Sequence, residues 1–255
     1  MSIQISGSYV QADKHNSVTK RYNPIQASQV GEVMAANGLT LTSLKTGIAR
    51  HADKLDFQRT FARYRGPEIA PGLYLDIIHD SKKMGRGVDK LLVGIYRLIC
   101  TNGLVVGSNF FEHKIRHAGN TKSSLDQGIK SALATTERLS KLILNMQTVQ
   151  LNPSQVAEFE SYALKLVVPE NAQNVQSNLL KIRRDADRGG DLWSVFNVIQ
   201  ENIMRGNVAW STNSSGPNPY NFVVRYHTAR QVKVNTNRDR EINQALFNIA
   251  MKFIK

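Results

Sequence analysis

Apolar positions along the 255-residue chain change period twice, and each change predicts a different kind of structure. From Ile25 to Ala36, the residues Ile25, Val30, Val33 and Met34 fit a short helix. Asn37-Gly38 would end it, since glycine accepts the left-handed conformation of a helix terminus. Residues 39–118 then read as β-rich. "GLYLDIIHDSKKMGRG" and "VDKLLVGIYRLICTNGLVVG" are apolar runs joined by a Ser-Lys-Lys-Met-Gly-Arg-Gly turn, which predicts a hairpin, and Asn102-Gly103 offers a further reversal. "LDFQRTFARYRGPE" fits two periods. As a helix it stacks Phe57, Phe61 and Tyr64; as a strand it puts Phe57, Arg59, Phe61, Arg63 and Arg65 on one face.

Past "RHAGN" the period becomes helical. Leu125, Ile129, Ala132, Thr136, Leu139, Ile143 and Met146 recur in steps of four and three. That predicts one long helix, Thr121 to Met146, whose seam packs on a helix of the same chain or of a neighbouring subunit. Asn152-Pro153 opens a further helix, stopped by Pro169. "NVQSNLLKIRRDADRGG" reads as a short helix ending in a basic cluster, "DLWSVFNVIQENIMRG" as an amphipathic helix, "WSTNSSGPNPYN" as a loop and "RDREINQALFNIAMKFIK" as a last helix. Residues 1–22 are polar and aperiodic, which predicts a flexible arm. The expected fold is α+β: one domain over residues 23–255, with a twisted, mainly antiparallel sheet in the N-terminal half backed by a helical C-terminal half, residues 121–255.

Charge adds the first hint of a partner. Lys and Arg number 33 against 20 Asp and Glu, a formal net charge of +13. Cutting the chain after Gln127 leaves 17 basic against 10 acidic residues before the cut and 16 against 10 after it, so the excess belongs to the whole body. Such a field attracts polyanions, and neutralising phosphates releases their counterions. Nucleic acid is therefore the expected partner class. Arginines interleaved with aromatics, Arg59, Arg63 and Arg65, could neutralise phosphates while rings stack bases. Lys82, Lys83 and Arg86 on the hairpin tip could act as a phosphate-contacting finger, and Arg183 and Arg184 form a further basic cluster.

"EHKIRHAGN" is the most ambiguous motif. As a strand it places His113, Ile115 and His117 on one side and Lys114 and Arg116 on the other, before Gly119-Asn120 turns into a helix capped by Asn120 or Thr121. Lys114, Arg116, Asn120 and the helix-start N–H groups suit a phosphate. Alternatively His117 and Asn120 only hold the turn. Other chemistry is thinly supported. His113 and His117 are too far apart on a strand to share a zinc ion. Asp76, Asp80 and Asp89 could supply nuclease carboxylates but lack accompanying motif residues, and no nucleotide-binding glycine loop is present. Cys100, the single cysteine, sits in an apolar strand and reads as a structural thiol. No cofactor, metal or catalytic residue is expected. Neither a membrane-length apolar run nor an export signal is found, which predicts a cytoplasmic protein.

"RLICTNGL" followed by "KIRHAGN" resembles the Arg-x-x-Cys-x-Asn and Arg-His-Thr-Gly-Asn signatures of the phage- and plasmid-like protein family, a domain of unknown function found on mobile elements. "LDF", "HDSKKMGRG", "DLWSVFNVIQE" and "NRDREINQALF" look like its other blocks, in the same order, over roughly residues 25 to 253. Ala118 stands where the family has Thr, and Phe57 where it has Trp. The resemblance implies a phage or plasmid setting. A basic hairpin sheet backed by helices in that setting is similar to Rad-type single-strand annealing proteins. The expected function is thus sequence-independent binding, and annealing, of single-stranded DNA in recombination by a homo-oligomer in the host cytoplasm. The alternatives are an interaction protein that binds and inhibits a host factor, and a nucleic-acid-processing enzyme.

Overall fold

The computed structural model describes residues 21–46, 59–81, 88–97, 104–105, 111–215, 222–233 and 236–254. Expectations for the first twenty residues, Leu55–Phe57, the Lys82, Lys83 and Arg86 tip, Cys100 and Asn102-Gly103 lie outside them. The chain divides into two compact units, Met1–Leu139 and Ser140–Lys255.

The first unit contains α1 (Ala27–Ala36), β1 (Thr40–Thr46), β2 (Thr60–Ala70), β3 (Leu73–Ser81), β4 (Asp89–Arg97), β5 (Leu104–Val105), β6 (Glu112–Ile115) and α2 (Thr121–Leu133). Its sheet is antiparallel, in the order β1-β2-β3-β4-β5, with β6 also paired to β4. β2 settles the two-period segment in favour of the strand: from Thr60 onward it is paired on both sides, and a helix could not satisfy those ladders. Asn37 and Gly38 end α1 as expected, with Gly38 at φ 75°. One sheet face carries Ala62, Leu75, Ile77, Leu91, Val93, Ile95 and Ile115, all buried. α2 packs on that face so closely that a Cβ on Gly128 would meet the His113 ring and Leu91.

The predicted long helix is two: α2 stops at Leu133, and α3 (Thr136–Thr148) begins after a turn. The hydroxyls of Thr135 and Thr136 donate to the carbonyls of Ala132 (2.7 Å) and Leu133 (2.6 Å), competing with the helical ladder there. Leu125, Ile129, Ala132, Leu139, Ile143 and Met146 are nonetheless fully buried within the single chain. The seam therefore needs no neighbouring subunit.

The second unit holds α4 (Pro153–Leu164), β7 (Gln173–Ser177), α5 (Leu192–Arg205), β8 (Val208–Ser215), β9 (Phe222–Thr228) and α6 (Asn237–Met251). Capping follows the sequence: Asn152 forms a capping box, Asp191 caps α5, and Gly206 ends α5 at φ 78°. Rings from three helices build the core, with Phe159 5.4 Å from Phe253, and Phe196 6.4 Å from Phe247. Two expectations fail here. The segment predicted as a short helix starts as β7 and ends in a 3-10 turn, Asp185–Asp187, and the first half of the predicted loop "WSTNSSGPNPYN", residues 210–215, is strand, its second half lying outside the described residues. β8 pairs with β9 residue for residue from Ala209↔Thr228 to Ser215↔Phe222, so the strand is fixed by its partner's ladder rather than by a pattern of its own. The C-terminal half thus carries a three-stranded sheet, β7-β8-β9, among its helices.

Candidate nucleic-acid interface

The sheet does bring the expected arginines together. Phe61, Arg63 and Arg65 alternate along β2, and Arg59 precedes it. What β2 alone does not reveal is its neighbour. β3 sets Asp76 opposite Arg65 and Asp80 opposite Phe61, so carboxylates interleave with the guanidiniums. Arg59 donates to Asp80 through two bonds of 2.6 Å, and Asp76, fully buried, accepts from Arg63 at 3.2 Å and Arg65 at 3.0 Å. Arg63 is itself only 6% exposed. The aromatic rings are occupied as well, Arg59 lying 4.5 Å from the Phe61 centroid and Arg65 5.4 Å from that of Tyr74. This face is an internally compensated ladder, not a row of cations awaiting phosphates. Lys114, which shares the face through its register with Lys90, lies 3.5 Å from Glu112.

The "RHAGN" corner proves largely architectural. His113, Ile115 and His117 point to the helix-covered face, while Lys114 and Arg116 are exposed on the other side, as the alternation predicts. His117 and His79 both aim Nε2 at Asp89, at 3.3 and 3.2 Å, one to each carboxylate oxygen. All three are less than a tenth exposed. A carboxylate only accepts, so each histidine donates its Nε2–H to Asp89. The corner also receives the start of the described chain: Asn23 donates its backbone N–H to the His117 carbonyl (2.7 Å) and its amide to that of Gly119 (3.0 Å), with the Tyr22 ring 5.0 Å from His117. Asn120 accepts from the Ser123 N–H as the α2 cap. Arg116 faces solvent. Asp76, Asp80 and Asp89, the nuclease candidates, do not converge, because Asp89 sits on the opposite face from the other two.

In the second unit Arg183 and Arg184 fasten the segment after β7 to α5. Arg183 donates to Asn202 Oδ1 (2.8 Å), and Arg184 reaches Glu201 with two bonds of 3.0 Å. Arg205 completes the cluster on Glu201. Burial alone would push the Glu201 carboxyl up, but the Arg184 and Arg205 hydrogen bonds and charges outweigh it and hold it below the ordinary range.

The cations that do converge without acids were missed by sequence reasoning. A groove of about 600 Å³ between the end of β9 and the start of α6 is lined by Arg230, Lys233 and Arg238, with Trp210, Val167 and Thr236 among its other walls and, among the described residues, no carboxylate. Its frame is fixed. Val232 donates to the Met204 carbonyl (2.9 Å), Ala229 to Val208 (2.8 Å), and Gly206 packs so tightly that a Cβ there would collide with the Ala229 carbonyl oxygen. Arg238 is anchored by a 2.6 Å bond to the Leu166 carbonyl, which leaves its other N–H groups for a ligand. The Trp210 indole stacks on His227 at 5.7 Å, and His227 Nε2 shares a 2.8 Å hydrogen bond with Thr212. The available signal was "ARQVKVNTNRDR", where four cations meet one acid.

The chain belongs to the family described as domain of unknown function DUF932, whose profile matches residues 14–246. It is similar to UPF0380 protein YfjQ and UPF0380 protein YafZ of Escherichia coli strain K12, each 27% identical over 240 residues that cover 93% of this chain and 84% of the relative. No solved structure matches it. Among the described residues, no helix is long and apolar enough to cross a membrane.

Proposed function

We propose that this member of a family without assigned chemistry is a nucleic-acid-binding protein of phage or plasmid elements. Its preferred partner is single-stranded DNA, bound without regard to sequence and annealed during recombination in the host cytoplasm. The observation that carries the proposal is the β9–α6 groove. Of the cations singled out in the sequence that the structure describes, Arg59, Arg63, Arg65, Lys114 and Arg184 face acids and Arg183 holds an amide, whereas Arg230, Lys233 and Arg238 share one concavity with an indole and, among the described residues, no carboxylate. A net charge of +13 then has a place where it can act on phosphates.

The test is fluorescence anisotropy of a labelled single-stranded oligonucleotide at two salt concentrations. If about three to five phosphates are engaged, affinity falls about 20- to 130-fold between about 50 and 200 mM salt, from a slope near 0.7 per phosphate. The double variant Arg230→Ala/Lys233→Ala flattens that slope. Annealing requires two strands held at once, so the same proposal expects light scattering to give a multiple of 28.5 kDa. Absence of binding at the lower salt transfers support to a host-protein partner. That reading is favoured by the apolar side chains the second unit exposes, including Val224 at 48% and Tyr226 at 84%.

A further inference from the structure

We infer that the β9–α6 groove is a receptor for a terminal phosphate, so that the protein recognises the phosphorylated end of a nucleic-acid strand in preference to its interior. The inference rests on the nucleic-acid reading above and assigns that site a ligand class.

The reasoning is one of charge matching. Each internal phosphodiester carries a single negative charge. One diester would leave two of the three cations uncompensated. A phosphomonoester at a strand end carries about −1.5 to −2 near pH 7 and presents three acceptor oxygens. It neutralises the cluster far more completely. Two of the three cations are arginines, whose planar forks bind such an oxyanion through paired N–H bonds, and the lysine adds a mobile point charge.

Preorganisation points the same way. Arg238 is tethered to the Leu166 carbonyl, and the segment bearing Arg230 and Lys233 is pinned by the Val232 bond to Met204. Little ordering then remains to be done at binding, which raises affinity for a compact ligand over a sliding chain. Trp210, held by His227, supplies an apolar wall for the terminal sugar or base, and the groove's volume lies within the ordinary range for small-ligand sites.

Anisotropy with the full chain and three oligonucleotides of one sequence tests this: 5′-phosphorylated, 3′-phosphorylated, and hydroxyl at both ends. At least one phosphorylated form should bind about tenfold more tightly than the hydroxyl form. Millimolar inorganic phosphate should erase the difference, and so should Arg230→Gln/Lys233→Gln, with an unchanged melting temperature. Equal affinity for all three ends overturns the inference while leaving nucleic-acid binding intact. An end preference that survives in the double variant places the receptor elsewhere and also overturns it. If no oligonucleotide binds, the nucleic-acid reading fails, and titration calorimetry with inorganic phosphate decides the groove itself: heat lost in the double variant keeps it as a phosphate site, and no heat removes it.

Discussion

Replacing Asp89 by alanine tests the buried His79-Asp89-His117 group, on which the "RHAGN" corner depends. Both imidazoles donate Nε2–H to this one carboxylate, at 3.2 and 3.3 Å, and none of the three side chains is more than 6% exposed. In the alanine variant two buried N–H donors lose their acceptor. Each costs about 1–3 kcal/mol, and these rather long bonds belong in the lower half, so the sum is about 2–4 kcal/mol. At about 2–4 °C per kcal/mol for chains of this size, the melting temperature should fall by about 5–15 °C. Asp89→Asn should cost about half as much, since its carbonyl still serves one histidine. The other would have to move its proton to Nδ1, and for His79 that atom is buried with no hydrogen-bond partner among the described residues. Far-UV circular dichroism is the suitable probe, because both tryptophans, Trp193 and Trp210, lie in the second unit and report nothing of Asp89. An alanine variant within about 1 kcal/mol of the parent, or an asparagine variant worse than the alanine one, would refute the assignment of both donors to Asp89.

Gly206→Ala should destabilise the chain by about 1–3 kcal/mol, since it forces a side chain into φ 78° against the Ala229 carbonyl, and should also loosen the groove frame; an unchanged denaturation midpoint together with unchanged oligonucleotide affinity would count against that frame. Glu201→Gln tests the arginine cluster through pH. Because the folded carboxyl is held below its unfolded value, its stabilisation is complete above about pH 4.3 and is lost as pH falls through the folded value, so the stability gap between parent and variant in urea should be constant from about pH 7 to 5 and narrow toward pH 3; a gap that widens on acidification would contradict the sign.

Most of the fold was legible because its signals were local. Asn152-Pro153, Asp191 and Gly206 are caps whose physics needs no tertiary partner, and the helices they bound fall where the sequence places them. The β3–β4 hairpin was readable for the same reason, as two apolar runs on either side of a turn. Where the sequence misled, a second strand or a hydroxyl decided. β8 is a strand because β9 lies beside it, although its own residues, Ser211 to Ser215, have turn-forming chemistry. The long seam breaks at Thr135-Thr136, where side-chain hydroxyls take carbonyls that a purely apolar period cannot account for.

The candidate site was less legible, for a reason particular to charge. A run of arginines on one strand states how much positive charge is present but not what stands opposite. For Arg59, Arg63 and Arg65 the answer lies on β3, as Asp76 and Asp80. Arg183 and Arg184 likewise meet Asn202 and Glu201 from a helix some twenty residues later. Arg230, Lys233 and Arg238 drew no notice as a sequence cluster, being spaced over nine residues with Asp239 beside them, yet Asp239 turns inward, 1% exposed, to bond Asn243. Burial removes the acid from the surface balance and leaves the three cations to define the groove. A net charge of +13 is therefore a poor map of where a polyanion would bind: the useful quantity is the charge left after each acid has been assigned a partner, and by that measure the second unit's β9–α6 groove, rather than the arginine-rich sheet of the first, is the place to look.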